Sequence, residues 1–349
     1  MSRHAEDRNR PIPAWGKVLL LWSITIALSG AAVVSLQSWH TNLIEHIAFT
    51  DAPPERQAAF LIDRADAIFE SLQQQAQASG NTAPGALKDH PRAIEAITYY
   101  TQARELSGGV APGALHERMA TLYSWMGDDE LMHQALARGF MAARDAAGAI
   151  DAAGQTRSLP GQVLLGEAHL MANQLEQARQ LATTLTQQHP DEPDALMLLA
   201  QVESAAARAE VAAGRPDSAA RLWTRCTELL EEVLRLDGQR VAVYPMLADH
   251  YRLIGQLERS EATLMRAIRL FPSNANLAHR LGLIQLEAGK PADAAQSIGR
   301  AISILDHIPD LHLDLRRALL AAGDDAGAAR ALERAMSLDA DYVNRTLQP

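Results

Sequence analysis

The side chains that could carry chemistry are few and scattered. There are twelve histidines and one cysteine in 349 residues. A metal site needs ligands gathered at short spacings or on one helical face. His307 and His312 are five apart across Pro309, and His116 and His133 fall on opposite helices of one helical unit, so both pairs read as surface residues. The lone His169 reads as a core or half-buried packing residue. Cys226 sits in a helical stretch beside Trp223 and Leu229, which suits a small buried thiol. A single cysteine excludes an intramolecular disulfide and a cysteine-based zinc site. The chain carries no strained-turn serine motif, phosphate-binding glycine loop, HExxH, CxxC or paired-carboxylate constellation. No cofactor or metal is therefore expected, and an enzyme is disfavoured.

The elements that position these residues repeat. Leu247, Leu281 and Leu315 are 34 apart, as are Gly255, Gly289 and Gly323, then Leu264, Ile298 and Leu332, then Ala267, Ala301 and Ala335. Within each copy, apolar and small residues recur three and four apart, the period of one helical face. A glycine follows, where a helix stops and the chain turns, and a second amphipathic run comes after it. Small residues at 248, 260, 282 and 294 permit two helices to approach closely. With Tyr244, Ala248, Tyr251, Pro272, Gly282 and Ala294, this register resembles the tetratricopeptide repeat, a 34-residue helix–turn–helix. The resemblance implies an all-α, right-handed superhelical solenoid in which stacked hairpins share one core.

Composition agrees: 5% aromatic and 21% charged residues, with few β-branched runs after the first fifty positions. A net charge of −10 argues against nucleic acid as a partner. Residues 1–17 are polar and carry Arg3, Arg8, Arg10 and Lys17. Val18 to Leu36 then run without a charge, about 28 Å as a helix, close to the thickness of a bilayer core. The next basic residue is Arg56, so the positive-inside rule puts the N-terminus in the cytoplasm. A retained single-pass anchor in a bacterial inner membrane is expected, with a cleavable signal ending near Ser29-Gly30-Ala31 as the rival. Residues 37–56 form a linker.

The remainder, 57–349, reads as the solenoid. Gln57–Gln77 is a helix with Ala58, Leu61, Ile62, Ala65, Ile68, Phe69 and Leu72 inward; Pro91–Leu106 is its partner, with Ile94, Ile97, Tyr100 and Ala103 inward. Repeats follow at 113–146, 159–192, 193–240, 241–274, 275–308 and 309–342, with a loose segment at 147–158 between the first two. The unit 193–240 is longer, its turn and its end each displaced by seven residues, so both helices gain about two turns and the hairpin stays paired. After the sixth repeat no capping helix is expected, which leaves a face for self-association.

In the resembled family the first helix of each pair lines the concave groove. Carried onto this chain, that row is Glu117, Thr121 and Ser124, then Val163, Glu167 and Leu170, then Met197, Gln201 and Ser204. It continues through Asp249, Arg252 and Leu253, then His279, Leu283 and Leu286, and closes on Leu313, Arg317 and Leu320. A clamp for a peptide's terminal carboxylate would need Asn and basic residues where Val163, Glu167, Met197, Gln201 and Asp249 stand, so such a clamp is not expected. The downstream half is apolar and suits an amphipathic or extended apolar segment. The expected function is a membrane-anchored, non-enzymatic scaffold that binds a protein partner in the membrane or periplasm. It would support an envelope assembly of the exopolysaccharide-secretion or cytochrome c-maturation kind. The alternative is an accessory structural subunit of a larger membrane enzyme or transport complex.

Overall fold

The computed structural model describes residues 52–107 and 113–347, and every regular element among them is a helix. The expected tail, the apolar span 18–36 and the linker up to 51 lie outside the described residues. No helix among the described residues is long and apolar enough to cross a membrane. The chain divides into two compact units at Arg157/Ser158.

The first unit begins with α1 (Pro54–Ser79), which starts three residues before the sequence suggests. Pro54 begins the helix because its missing N–H lies among the donors a first turn leaves unpaired anyway. Ala58, Leu61, Ala65, Ile68, Phe69 and Leu72 are buried on one stripe as expected. That stripe packs against α2 (Pro91–Leu106). Here the inward face differs from the expected one: Ala93, Ala96, Tyr100 and Ala103 are buried while Ile94 is 47% exposed. The alanines let α1 and α2 approach closely, and the Tyr100 hydroxyl fixes the rotation by donating to Asp66 on α1 at 2.6 Å. Arg118, on α3 (Gly113–Met126), pairs with the same carboxylate, so three helices meet at Asp66. Trp125 of α3 stacks on Phe69, with ring centroids 5.8 Å apart.

Two short helices complete this unit. The Asp128 side chain accepts the Leu131 N–H and starts α4 (Asp129–Ala142); Asp145 does the same for Gly148 and starts α5 (Ala146–Gly154). The stretch expected to be loose is thus helical over most of its length. Alanine is the best helix former, a capping Asp precedes the run, and Ala149, Ala152 and Ala153 are buried.

The second unit is a run of hairpins. They are α6 (Leu159–Met171) with α7 (Leu175–Gln188), and α8 (Pro193–Ala212) with α9 (Pro216–Leu236). Next come α10 (Val243–Leu253) with α11 (Leu257–Leu270), α12 (Ala275–Glu287) with α13 (Pro291–Ile304), and α14 (Pro309–Ala321) with α15 (Asp325–Leu338). Consecutive helices pack on one another along this unit, as in a solenoid of stacked helical hairpins. The turns at Gly255, Gly289 and Gly323 take φ of 76°, 71° and 80°, a left-handed conformation that side chains resist. In one hairpin both helices are long: α8 has 20 residues and α9 has 21, against 11 to 14 in the other helices of these hairpins.

Small residues set the helix spacing. Ser260 is fully buried and donates to the Ala248 carbonyl at 2.8 Å. At Gly282 a Cβ would fall 2.4 Å from Ile298 Cγ1. One apolar cluster runs from Leu196 on α8 through Leu247 and Leu281 to Leu311 on α14, so no hairpin here owns its core. Beyond α15 the expected bare face is not left open. A further helix, α16 (Ala340–Leu347), follows, with Val343 fully buried and the Tyr342 hydroxyl donating to Asp310 at 2.5 Å. Its 8 residues are too few to show a helical period in the sequence.

Candidate functional site

The first helices of three successive hairpins, α10, α12 and α14, share one face. A groove of about 690 Å³ runs across it. Residues 276, 279, 280, 283, 286 and 287 of α12 recur three and four apart, which is why one helix supplies most of the wall. Leu283, Leu286 and the buried Ile284 form an apolar strip.

Charges flank the strip in pairs that cross from one repeat to the next. Arg280 donates to Asp249 at 2.6 Å and, through Nε, to Asn276 at 2.9 Å. His279 Nε2 lies 2.7 Å from Asp314 Oδ2, and the same carboxylate also faces Arg317 at 3.3 Å. Arg252 and Glu287 are 3.7 Å apart. Exposed pairs of this kind contribute little to stability, about 0–1 kcal/mol each. Their effect is to hold long side chains upright beside an apolar floor. Asp314 orients His279, but none of the groove-lining residues is a Ser, Thr or Cys that this imidazole could activate.

Of the positions expected to line a groove, Asp249, Arg252, His279, Leu283, Leu286 and Arg317 come together here. Leu313 is half-buried and Leu320 is 44% exposed, and neither lines this cavity. Leu170 and Met197 pack against core clusters instead, while Glu167 and Gln201 are half-buried outside it. Asn276, Arg280 and Glu287 were not singled out from the sequence. The Asn276–Arg280 spacing of four was the available signal, but such spacings are frequent on any exposed helix.

Two histidine readings change. His116 and His312 are buried, at 3% and 5% exposure, whereas both were expected at the surface. His116 lies beside Leu115 and Met119 on the inner face of α3, and His312 Nε2 meets the Asp306 carbonyl oxygen at 2.9 Å. His307 is exposed. His169 is half-buried, with Nδ1 2.6 Å from Gln174 Oε1. His250, which the sequence did not mark, lies 3.0 Å from Ser204 Oγ, and burial lowers its pKa. Cys226 is fully buried, and burial pushes its thiol up to about 12. Among the described residues no group of three or more His, Cys, Asp or Glu is placed to hold a metal.

No protein-family model matches the sequence, and no curated protein matches it. Solved structures align with roughly half of the chain. TTC0263, a thermophilic TPR protein of Thermus thermophilus, is 18% identical with a TM-score of 0.46, over 55% of this chain and 99% of that one. YrrB, described as a TPR protein with an unusual peptide-binding site, is 14% identical at a TM-score of 0.43, over 58% and 96%. MamA from Desulfovibrio magneticus RS-1 is 14% identical at 0.42, over 54% and 96%.

Proposed function

We propose that the chain is a non-enzymatic scaffold that holds a protein partner in the groove of α10, α12 and α14. The observation that carries this reading is the apolar strip of Leu283 and Leu286, left half-exposed between inter-repeat ion pairs. Leu286 also packs on the Ala294, Ile298 and Ala318 cluster, so Leu283 is the leucine that the core does not account for. Burial of such a side chain by a partner contributes roughly 1.5–3 kcal/mol. The uncharged stretch 18–36 behind a basic tail supports a single-pass anchor in a bacterial inner membrane, with the repeats on the periplasmic side. On this reading the partner belongs to an envelope assembly of the exopolysaccharide-secretion or cytochrome c-maturation kind.

The test uses a photo-crosslinking amino acid in place of Leu283 in the full-length chain, expressed in its own host. The control position is Met336, exposed on the second helix α15. One discrete adduct from position 283 that is absent from 336 supports the groove. The same adducts from both positions, or none from 283, would remove it. A phosphatase reporter after Pro349 reads the topology, and activity only in a cytoplasmic format would reverse it.

A further inference from the structure

A second cavity lies in the first unit and does not depend on the groove's reading. It occupies about 200 Å³ between α2, α3 and α4. His116, Met119 and Tyr123 share the face of α3 that lines it, whereas Glu117, Thr121 and Ser124 of the expected groove share another. Arg104 enters from α2 and Arg138 from α4.

His116 is 97% shielded from solvent, and its Nδ1 is buried without a hydrogen-bond partner. A ring nitrogen left so is costly, because folding has removed its water and supplied nothing in return. Two fixed cations stand around it. Burial first, then the charges of Arg104 and Arg138, hold His116 neutral, with a pKa lowered to about 4. The same two arginines act on the Tyr123 hydroxyl, against burial and Asp128. Glu130 of α4 receives the Gln134 amide and the Arg157 N–H and does not line the cavity. The cavity therefore presents guanidinium groups and an unsatisfied imidazole nitrogen, with no carboxylate among its lining residues.

We propose that this cavity binds a carboxylate, with Arg104, Arg138 and the Nδ1–H tautomer of His116 as its donors. Guanidinium groups match the planar, two-oxygen shape of a carboxylate. Met119, Leu131 and Ala135 form an apolar part of the lining, beside Thr101, Tyr123 and Gln134, so the ligand carries a short aliphatic portion behind its charge. Inorganic phosphate would leave that part of the cavity empty. A free organic acid and a glutamate side chain of a bound peptide offer the same chemistry.

The experiment follows the histidine ring nitrogens by NMR in the full-length chain labelled at histidine. The probes are glutarate, an acetylated and amidated glutamyl peptide, and inorganic phosphate. Saturable movement of the His116 signals by glutarate or the peptide is expected, while His279 in the groove stays still. The tighter of the two identifies a free acid or a peptide as the source. A bound carboxylate favours the imidazolium, so the His116 midpoint should rise from about 4 on saturation. Arg104→Gln and Arg138→Gln should each weaken binding by about tenfold or more, the value of one charge-assisted hydrogen bond. Absence of a saturable shift from either carboxylate at up to roughly 10 mM, where even a millimolar Kd would be evident, would overturn the proposal. Equal binding of phosphate, or binding untouched by both arginine changes, would also overturn it. The wild-type titration alone decides the first of these, so it does not depend on a variant folding.

Discussion

Gly282 offers the sharpest test of how the hairpins pack. A Cβ there would lie 2.4 Å from Ile298 Cγ1 and 3.1 Å from the Ala294 carbonyl oxygen. Neither can move aside easily. Ile298 is fully buried and β-branched, so its χ1 is stiff, and the carbonyl belongs to the α13 backbone. Overpacking of this kind costs about 1–3 kcal/mol, while replacing a helical glycine by alanine gains up to about 1. Gly282→Ala should therefore lose about 1–2 kcal/mol. Gly299 on α13 is the counter-case, since an added Cβ meets nothing within 4 Å. Gly299→Ala should stabilise by about 0.5–1 kcal/mol. Gly166→Ala should fall between them, because the three nearest atoms to its Cβ all belong to the Leu198 side chain, at 2.4 to 3.2 Å, and a side chain yields more readily than backbone. Urea midpoints of the full-length variants read the order, and hydrogen exchange over residues 275–304 localises the effect. Restoring room with Ile298→Ala should make the double variant less costly than the sum of the singles by about 1 kcal/mol. A rise in midpoint for Gly282→Ala comparable to that for Gly299→Ala would refute the close approach of α12 and α13.

Three further outcomes follow from burial and charge. The His116 pKa is lowered from 6.5 to about 4, so the unfolded chain takes up its proton first as pH falls. Stability from this residue is present above 6.5 and lost down to about 4, about 3 kcal/mol in all; His116→Phe should flatten that part of the pH profile measured by denaturation. Leu281, only 7% exposed, should cost about 2–5 kcal/mol when changed to Ser, whereas Leu320→Ser, at a 44% exposed site, should stay within about 0.5 on the same thermal melts. Cys226 should resist thiol reagents in the folded chain and react only after denaturation; fast labelling under native conditions would contradict its burial.

The register of Leu247, Leu281 and Leu315 made the fold legible, because it survives any error in the surrounding residues. The two added turns of α8 and α9 were legible for the same reason, as a displacement against a fixed period. What escaped was decided by packing. The α2 face could not be read because large apolar Ile94 turns outward while small Ala93 and Ala96 turn in, and hydrophobicity alone ranks them the other way. The α5 segment looked loose because Ala and Gly carry no period. In the groove, Asp249 and His279 could be placed by register, but Arg280 entered by reaching 31 positions back to Asp249. The His116 cavity gave no sign, since nothing local distinguishes a buried imidazole from an exposed one.

The long hairpin of α8 and α9 has a mechanical consequence. Seven residues protrude about 10 Å at 1.5 Å per residue, and positions 211–217 around the turn at Gly214 are all exposed. Lower down, Ala206, Ala207 and Ala219 are buried, and Leu196, Leu230 and Val233 are part of the shared core. The hairpin is a cantilever, clamped at its base and free at its tip. Thermal displacement of such a beam grows steeply toward the free end and leaves the clamped end nearly still. Force applied at Gly214 would bend two helices sideways against their own backbone hydrogen bonds before it could part α8 from the repeats on either side. Handling by a protease or a partner at the tip is thereby insulated from the array that the base supports.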